Sequence, residues 1–142
     1  MLFKNKKFER KILLNRETRD GILSFCKMSH PNEGILILRG KSKHGNVMID
    51  GLVIPPFSET GEDFAGFPHN PLPLDPSYVG IVHSHPIGSA KPSLTDSNNF
   101  FGLVSIIVKS PYEDDDIFAW DSNGNVIPLN ILILLVVKVF DG

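Results

Sequence analysis

The eight residues Tyr78-Val79-Gly80-Ile81-Val82-His83-Ser84-His85 restrict this chain more than any other segment. A short apolar run of this kind reads as a buried β-strand, and here it runs into a polar end carrying two histidines one residue apart. Successive side chains on a strand alternate between faces. His83 and His85 therefore project from the same face, about 7 Å apart at Cα, while Ser84 points to the other.

The rest of the chain supplies partners for such a strand. Residues Glu17 to Ser29 place Ile22, Leu23, Phe25, Cys26 and Met28 among polar neighbours, which predicts one amphipathic helix ending before Pro31. Lys11 to Leu14 reads as a short strand before it. Ile35 to Leu38 and Val47 to Ile54 read as antiparallel strands joined by the polar loop Lys41 to Asn46. After the histidines, a loop from Pro86 to Pro92 leads to Ser93-Leu94-Thr95-Asp96 and a helix through about Phe101. Strands follow at Ser105 to Lys109 and Ile117 to Trp120, then a hairpin turn at Ser122-Asn123-Gly124-Asn125 before Val126 to Leu129. Ile131 to Val137 is too short for the roughly 20 residues of a membrane span and reads as a core strand. The pattern is α/β with a mixed sheet.

Between Pro55 and Ser77 the periodicity dissolves. Six of the eleven prolines fall there, with the acidic stretch Glu59-Thr60-Gly61-Glu62-Asp63. A loop of this length inside a small domain is either functional or an idle surface insertion. The whole, 142 residues, is read as one domain (1–142) with this proline-rich insertion (55–77) inside it.

Charge excludes one class of partner. A formal net charge of −2 provides no field for gathering nucleic-acid phosphates, although Lys4, Lys6, Lys7, Arg10 and Lys11 are locally basic. With no A-x-A-like cleavage site after it, that stretch is read as a solvated start, and the protein is expected in the cytoplasm, away from membranes. Cys26, the single cysteine, lies in an apolar stretch and reads as a small buried hydrophobe.

The chemistry concentrates at His83, His85, Ser93 and Asp96. Two imidazoles on one face suit zinc, which in catalytic sites takes three protein ligands and leaves the fourth position to water. Asp96 is the natural third ligand, because a short loop can fold the next helix's start back over the strand's end, with its positive dipole end nearby. Taken alone, Ser93-Leu94-Thr95-Asp96 fits plain helix capping, and a lone His-x-His pair is more often two hydrogen-bonded histidines than a metal site. The four positions together arise by chance in only about one per thousand chains of this composition.

Hydrolysis at such an ion needs a base, and Glu33 is the first choice, at the boundary between helix and strand. Glu62, Asp63 and Glu113 could also approach. Glu113-Asp114-Asp115-Asp116 reads as a solvated loop, and His30, His44 and His69 as surface residues. No His-Glu-x-x-His occurs, which excludes the helical zinc-protease arrangement.

These residues resemble the JAMM metalloproteases, the catalytic MPN domain, whose signature is a distant Glu, then His-[Ser/Thr]-His, seven residues, and Ser-x-x-Asp. Here Glu33, His83-Ser84-His85-Pro86 and Ser93-Leu94-Thr95-Asp96 fill every position. The resemblance covers nearly the whole chain and implies a cytidine-deaminase-like α/β fold, a central sheet flanked by helices. It implies His83, His85 and Asp96 as ligands of one zinc ion, Glu33 as general base and Ser93 as oxyanion donor. The reaction implied is cleavage of an amide, commonly the isopeptide bond after the C-terminal diglycine of ubiquitin or a ubiquitin-like protein.

Other functions compete. One is processing of a sulfur-carrier precursor or a small amide by the same chemistry; another is a non-catalytic MPN scaffold, although such relatives lack ligands that are present here. Deamination on the related fold would require Pro-Cys-x-x-Cys, which one cysteine cannot supply. The compact length suggests a stand-alone prokaryotic enzyme of this type.

Overall fold

The computed structural model describes residues 10–55, 59–61, 65–66, 75–98 and 100–132. In chain order its elements are β1 (Ile12–Asn15), α1 (Arg16–Ser29), β2 (Ile35–Lys43), β3 (Asn46–Val53), β4 (Glu59–Thr60), β5 (Ala65–Gly66), β6 (Tyr78–His85), α2 (Leu94–Asn98), β7 (Val104–Lys109), a 3₁₀ turn (Asp114–Asp116), β8 (Ile117–Trp120), β9 (Val126–Ile127) and β10 (Leu129–Leu132). Eight strands form one mixed sheet in the order β10-β1-β3-β2-β6-β7-β8-β9, and β4 pairs with β5 in a separate ribbon. The expected α/β architecture is present, and the histidine strand β6 lies in the middle of the sheet. Among the described residues no helix is long and apolar enough to cross a membrane.

Helix α1 begins where Asn15 closes β1. The Asn15 side-chain oxygen accepts the Thr18 backbone N–H at 2.7 Å, satisfying one of the amides that a helix start leaves bare. Its buried stripe is Ile22, Leu23 and Cys26, spaced three and four residues apart. Met28, read from its apolar character as part of that stripe, is 84% exposed instead. Two residues beyond Cys26 is about 200° around the helix, which turns Met28 away from the sheet.

Neighbours paired across strands share a face, so the register assigns each side of the sheet. Leu36, Leu38, Val82, Ile106, Val108 and Ala119 point to the side that α1 covers and form the main core with Ile22, Leu23 and Cys26. The other side carries one row of Ile35, His83, Ile107 and Phe118, and His85 pairs with Lys109 in the next. The histidines thus leave the sheet opposite α1.

Several boundaries differ from the sequence reading. The expected loop 41–46 shrinks to the turn His44-Gly45, with β2 and β3 running up to it; both residues have positive φ (53° and 79°), the conformation that a two-residue hairpin turn needs. Helix α2 stops at Asn98 rather than near Phe101. Just beyond, Gly102 (φ 74°) lies so close to β6 that an added Cβ would meet the Val79 carbonyl oxygen at 2.5 Å, and Leu103 donates to that same oxygen. Of the expected core strand 131–137, Ile131 and Leu132 sit in β10 at the sheet's edge, beside β1, and Leu132 is 37% exposed. Residues 133–137 lie outside the described residues, as do Lys4, Lys6, Lys7, Glu62, Asp63 and His69.

Candidate metal centre

Strand β6 delivers His83 and His85 nearly buried, with side chains 3% and 10% exposed. The loop after it turns back so that α2 starts above the strand's end. There Ser93 and Asp96 exchange bonds: the Ser93 Oγ accepts the Asp96 N–H at 3.0 Å, and the Ser93 N–H donates to Asp96 Oδ2 at 2.9 Å. This is a reciprocal cap of the helix start. The same carboxylate faces both imidazoles, with Oδ2 3.0 Å from His85 Nε2 and Oδ1 3.7 Å from His83 Nδ1. Capping and approach to the histidines are therefore the work of one side chain.

The hydrogen bonds decide the state of His85. Its Nδ1 lies 2.8 Å from the Ser89 carbonyl oxygen, which can only accept, so Nδ1 carries a proton. Nε2 then presents its lone pair to a carboxylate unless a positive charge stands between them, either a second proton or a metal ion. Without metal the protein takes the proton. Burial opposes a charged His85, but the bonds to Asp96 and Ser89 and the charges of Asp96 and Glu33 outweigh it and raise its pKa. Asp96 shows the reverse: burial pushes its pKa up, yet His85, the Ser93 N–H and the charge of His83 hold it down at about 2.

Among the described residues no set of three such side chains is already spread around an ion-sized gap. Asp96 leans directly on the histidines. Its two oxygens lie 3.0 Å from His85 Nε2 and 3.7 Å from His83 Nδ1, so two imidazoles and one carboxylate meet at one place. The donor set of two imidazoles and one carboxylate, one imidazole oriented through its far nitrogen by a carbonyl, fits zinc.

Glu33 reaches the same place by a different route. Ser84, on the opposite side of β6 from the histidines and fully buried, accepts the Gly34 N–H at its Oγ (2.6 Å), and its own N–H donates to the Gly34 carbonyl (3.0 Å). These bonds extend the β2–β6 register past Ile35↔His83 and set Glu33 opposite His85. Its charge acts on both His85 and Tyr112. Glu113 stands elsewhere, beside Lys27 at 3.9 Å.

Other residues near Glu33 or farther along the sheet carry no motif. The Glu33 N–H donates to the Gly61 carbonyl at 2.6 Å, so the proline-rich segment touches the site at its backbone. His30, read as an ordinary surface residue, has its Nδ1 2.8 Å from the Tyr112 hydroxyl. Burial, then the charge of Glu33, raise the Tyr112 pKa. Burial also pushes the Cys26 thiol up to about 12 against a hydrogen bond with Ser84, which keeps it protonated and unreactive. In the run read as a solvated acidic loop, Asp116 is 9% exposed: it accepts the Glu113 N–H at 2.8 Å and lies 3.9 Å from Lys109.

Solved structures share this fold. A JAB1/MPN domain protein from Archaeoglobus fulgidus superposes with a TM-score of 0.65 at 30% identity, covering 87% of this chain and 99% of that one. A structure described as JAMM, a metalloprotease-like zinc site in the proteasome and signalosome, superposes with a TM-score of 0.62 at 29% identity, covering 87% and 98%. Fold and site together define a metalloprotease-like domain of the JAMM type. The chain belongs to the prokaryotic homologs of the JAB domain, a family whose pattern matches residues 15–123. A relative named probable metalloprotease, from Haloferax volcanii, is 38% identical over 122 residues, 80% of this chain and 74% of that protein.

Proposed function

We propose that this protein is a zinc metalloprotease that hydrolyses the amide bond after the C-terminal diglycine of a ubiquitin-like protein. The observation that carries this reading is the Asp96 carboxylate set against His83 and His85 together, with Glu33 beside them. The name of the Haloferax volcanii relative and the zinc site of the JAMM structure support it.

His83, His85 and Asp96 would hold the ion. Zinc, when bound there, supplies Lewis-acid polarisation of the scissile carbonyl and an acidified water. Glu33 takes a proton from the attacking water and returns it to the leaving amine, so its carboxylate ends the cycle as it began. The Ser93 hydroxyl oxygen already accepts the Asp96 N–H, which leaves its own proton to donate to the tetrahedral oxyanion. The Ser89 carbonyl holds the His85 ring in the tautomer that turns Nε2 toward the ion. Of the proline-rich segment, the Gly61 carbonyl accepts the Glu33 N–H and so bears on the position of the base.

A panel of diglycine-tailed proteins tests the reading: one with an isopeptide-linked lysine, one with a linear C-terminal extension, and a small diglycine amide. The zinc-loaded protein is expected to release the isopeptide-linked lysine, and Glu33→Gln to lose at least about 10²-fold in kcat. Cleavage of the linear extension alone would make it a processor of a carrier-protein precursor, such as a sulfur carrier. Cleavage of none, with zinc bound, would leave a scaffold.

A further inference from the structure

The loop after β6 has two sides. On one, the Ser89 carbonyl orients His85. On the other, Ser89, Ala90 and Lys91 wall a cavity of about 260 Å³ whose remaining lining is Lys109, Phe118, Trp120 and Val126. The register explains why it opens beside the metal centre: Phe118 shares a row with His83, and Lys109 pairs with His85. The cavity therefore lies on the histidine side of the sheet. From β6 to β8 is two strand spacings, about 10 Å, the span of about three extended residues.

We propose that this cavity is a specificity pocket that takes an apolar or aromatic substrate side chain, flanked by an acidic residue, within about three residues of the cleaved bond. The proposal rests on the proteolytic function above. Its size suits one side chain rather than a whole small ligand. The floor is aromatic, and Val126 at its edge is 60% exposed, apolar surface that an arriving side chain would cover. Two lysines line the cavity and, among the described residues, no carboxylate does; Lys109 shares its charge with Asp116 at 3.9 Å, while Lys91 is exposed. Ile87 (84% exposed) on the same loop and Leu94 (79%) at the start of α2 are also exposed apolar side chains.

Trp120 is the chain's only tryptophan, so one indole resonance reports the pocket. Its Nε1–H is buried with no acceptor among the described residues, which makes that resonance sensitive to any acceptor arriving nearby. The zinc-loaded Glu33→Gln protein, labelled with ¹⁵N, is titrated with three blocked dipeptides: acetyl-Phe-Glu-amide, acetyl-Phe-Lys-amide and acetyl-Gly-Glu-amide. The first should shift the indole signal saturably, the second about fivefold more weakly, and the third not at all. In Lys91→Glu, an exposed position whose change leaves the core untouched, the preference between the first two should reverse. Absence of a saturable shift, an equal response to the glycine peptide, or no charge preference would overturn the proposal. The titration reads binding alone. An inert enzyme with a responsive indole would remove the proposed reaction and keep the pocket, and an active enzyme with a silent indole would do the opposite.

Discussion

Asp96 does three things with one carboxylate: it caps α2 through the Ser93 N–H, bonds His85 and faces His83. The plain and the chemical readings of Ser93-x-x-Asp96 are thus both correct, because the spacing that caps a helix also aims its third residue back at the preceding strand. The charges set a pH window for the metal-free protein. Asp96 is depressed from 3.8 to about 2, so its contribution to stability is present above 3.8 and is lost as pH falls toward 2. His85 is raised above 6.5, so its contribution is complete below 6.5 and is lost as pH rises through the folded value. The melting temperature of the metal-free protein should therefore peak between these limits, and His85→Ala should flatten the alkaline side; an unchanged alkaline slope would contradict the assignment. The sequence places Ser84 in the motif without giving it a task; the fold shows that it ties Gly34 to β6. Ser84→Ala should leave the buried Gly34 N–H unmet and cost about 1–3 kcal/mol in urea unfolding. Because Glu33 moves with Gly34, kcat should fall more than KM rises, and Ser84→Thr should restore it.

Among the elements, those with a strong period were legible in advance. Helix α1 and strand β6 lie where the apolar spacing puts them, because each buries a face of its own against the sheet or within it. The short or peripheral pieces were not. β10 looks like core by composition but occupies an edge, a position that strand order decides and local sequence does not. α2 ends at Asn98, and four residues on Gly102 passes close over Val79, a tertiary contact that local sequence does not show. The proline-rich segment is the least legible element and the one tied to Glu33 through Gly61. Deleting residues 57–70 should raise KM for a ubiquitin-like substrate and lower kcat, since Gly61 is removed too, while zinc stays bound. Unchanged kinetics would show that the segment is a surface insertion.

At the scale of the whole molecule, one sheet separates two tasks. The α1 side holds the main core, and the other side carries the histidines, Lys109 and the aromatic cavity in adjoining rows. A sheet anchored on one side leaves the other free, so a small domain can bring two histidines and an aspartate from two elements together. The histidine pair and the Ser-x-x-Asp spacing were readable from the sequence because they lie within one strand–loop–helix unit. Glu33, fifty residues before His83, needed the β2–β6 pairing to be placed, and the cavity needed β8, whose sequence Ile117-Phe118-Ala119-Trp120 reads only as a strand. The zinc content of the purified protein beside that of His85→Ala tests the central claim most directly. About one zinc per chain, lost in the variant, is the expected result; no zinc in the unaltered protein after incubation with zinc at neutral pH would contradict the metal centre and the hydrolase built on it.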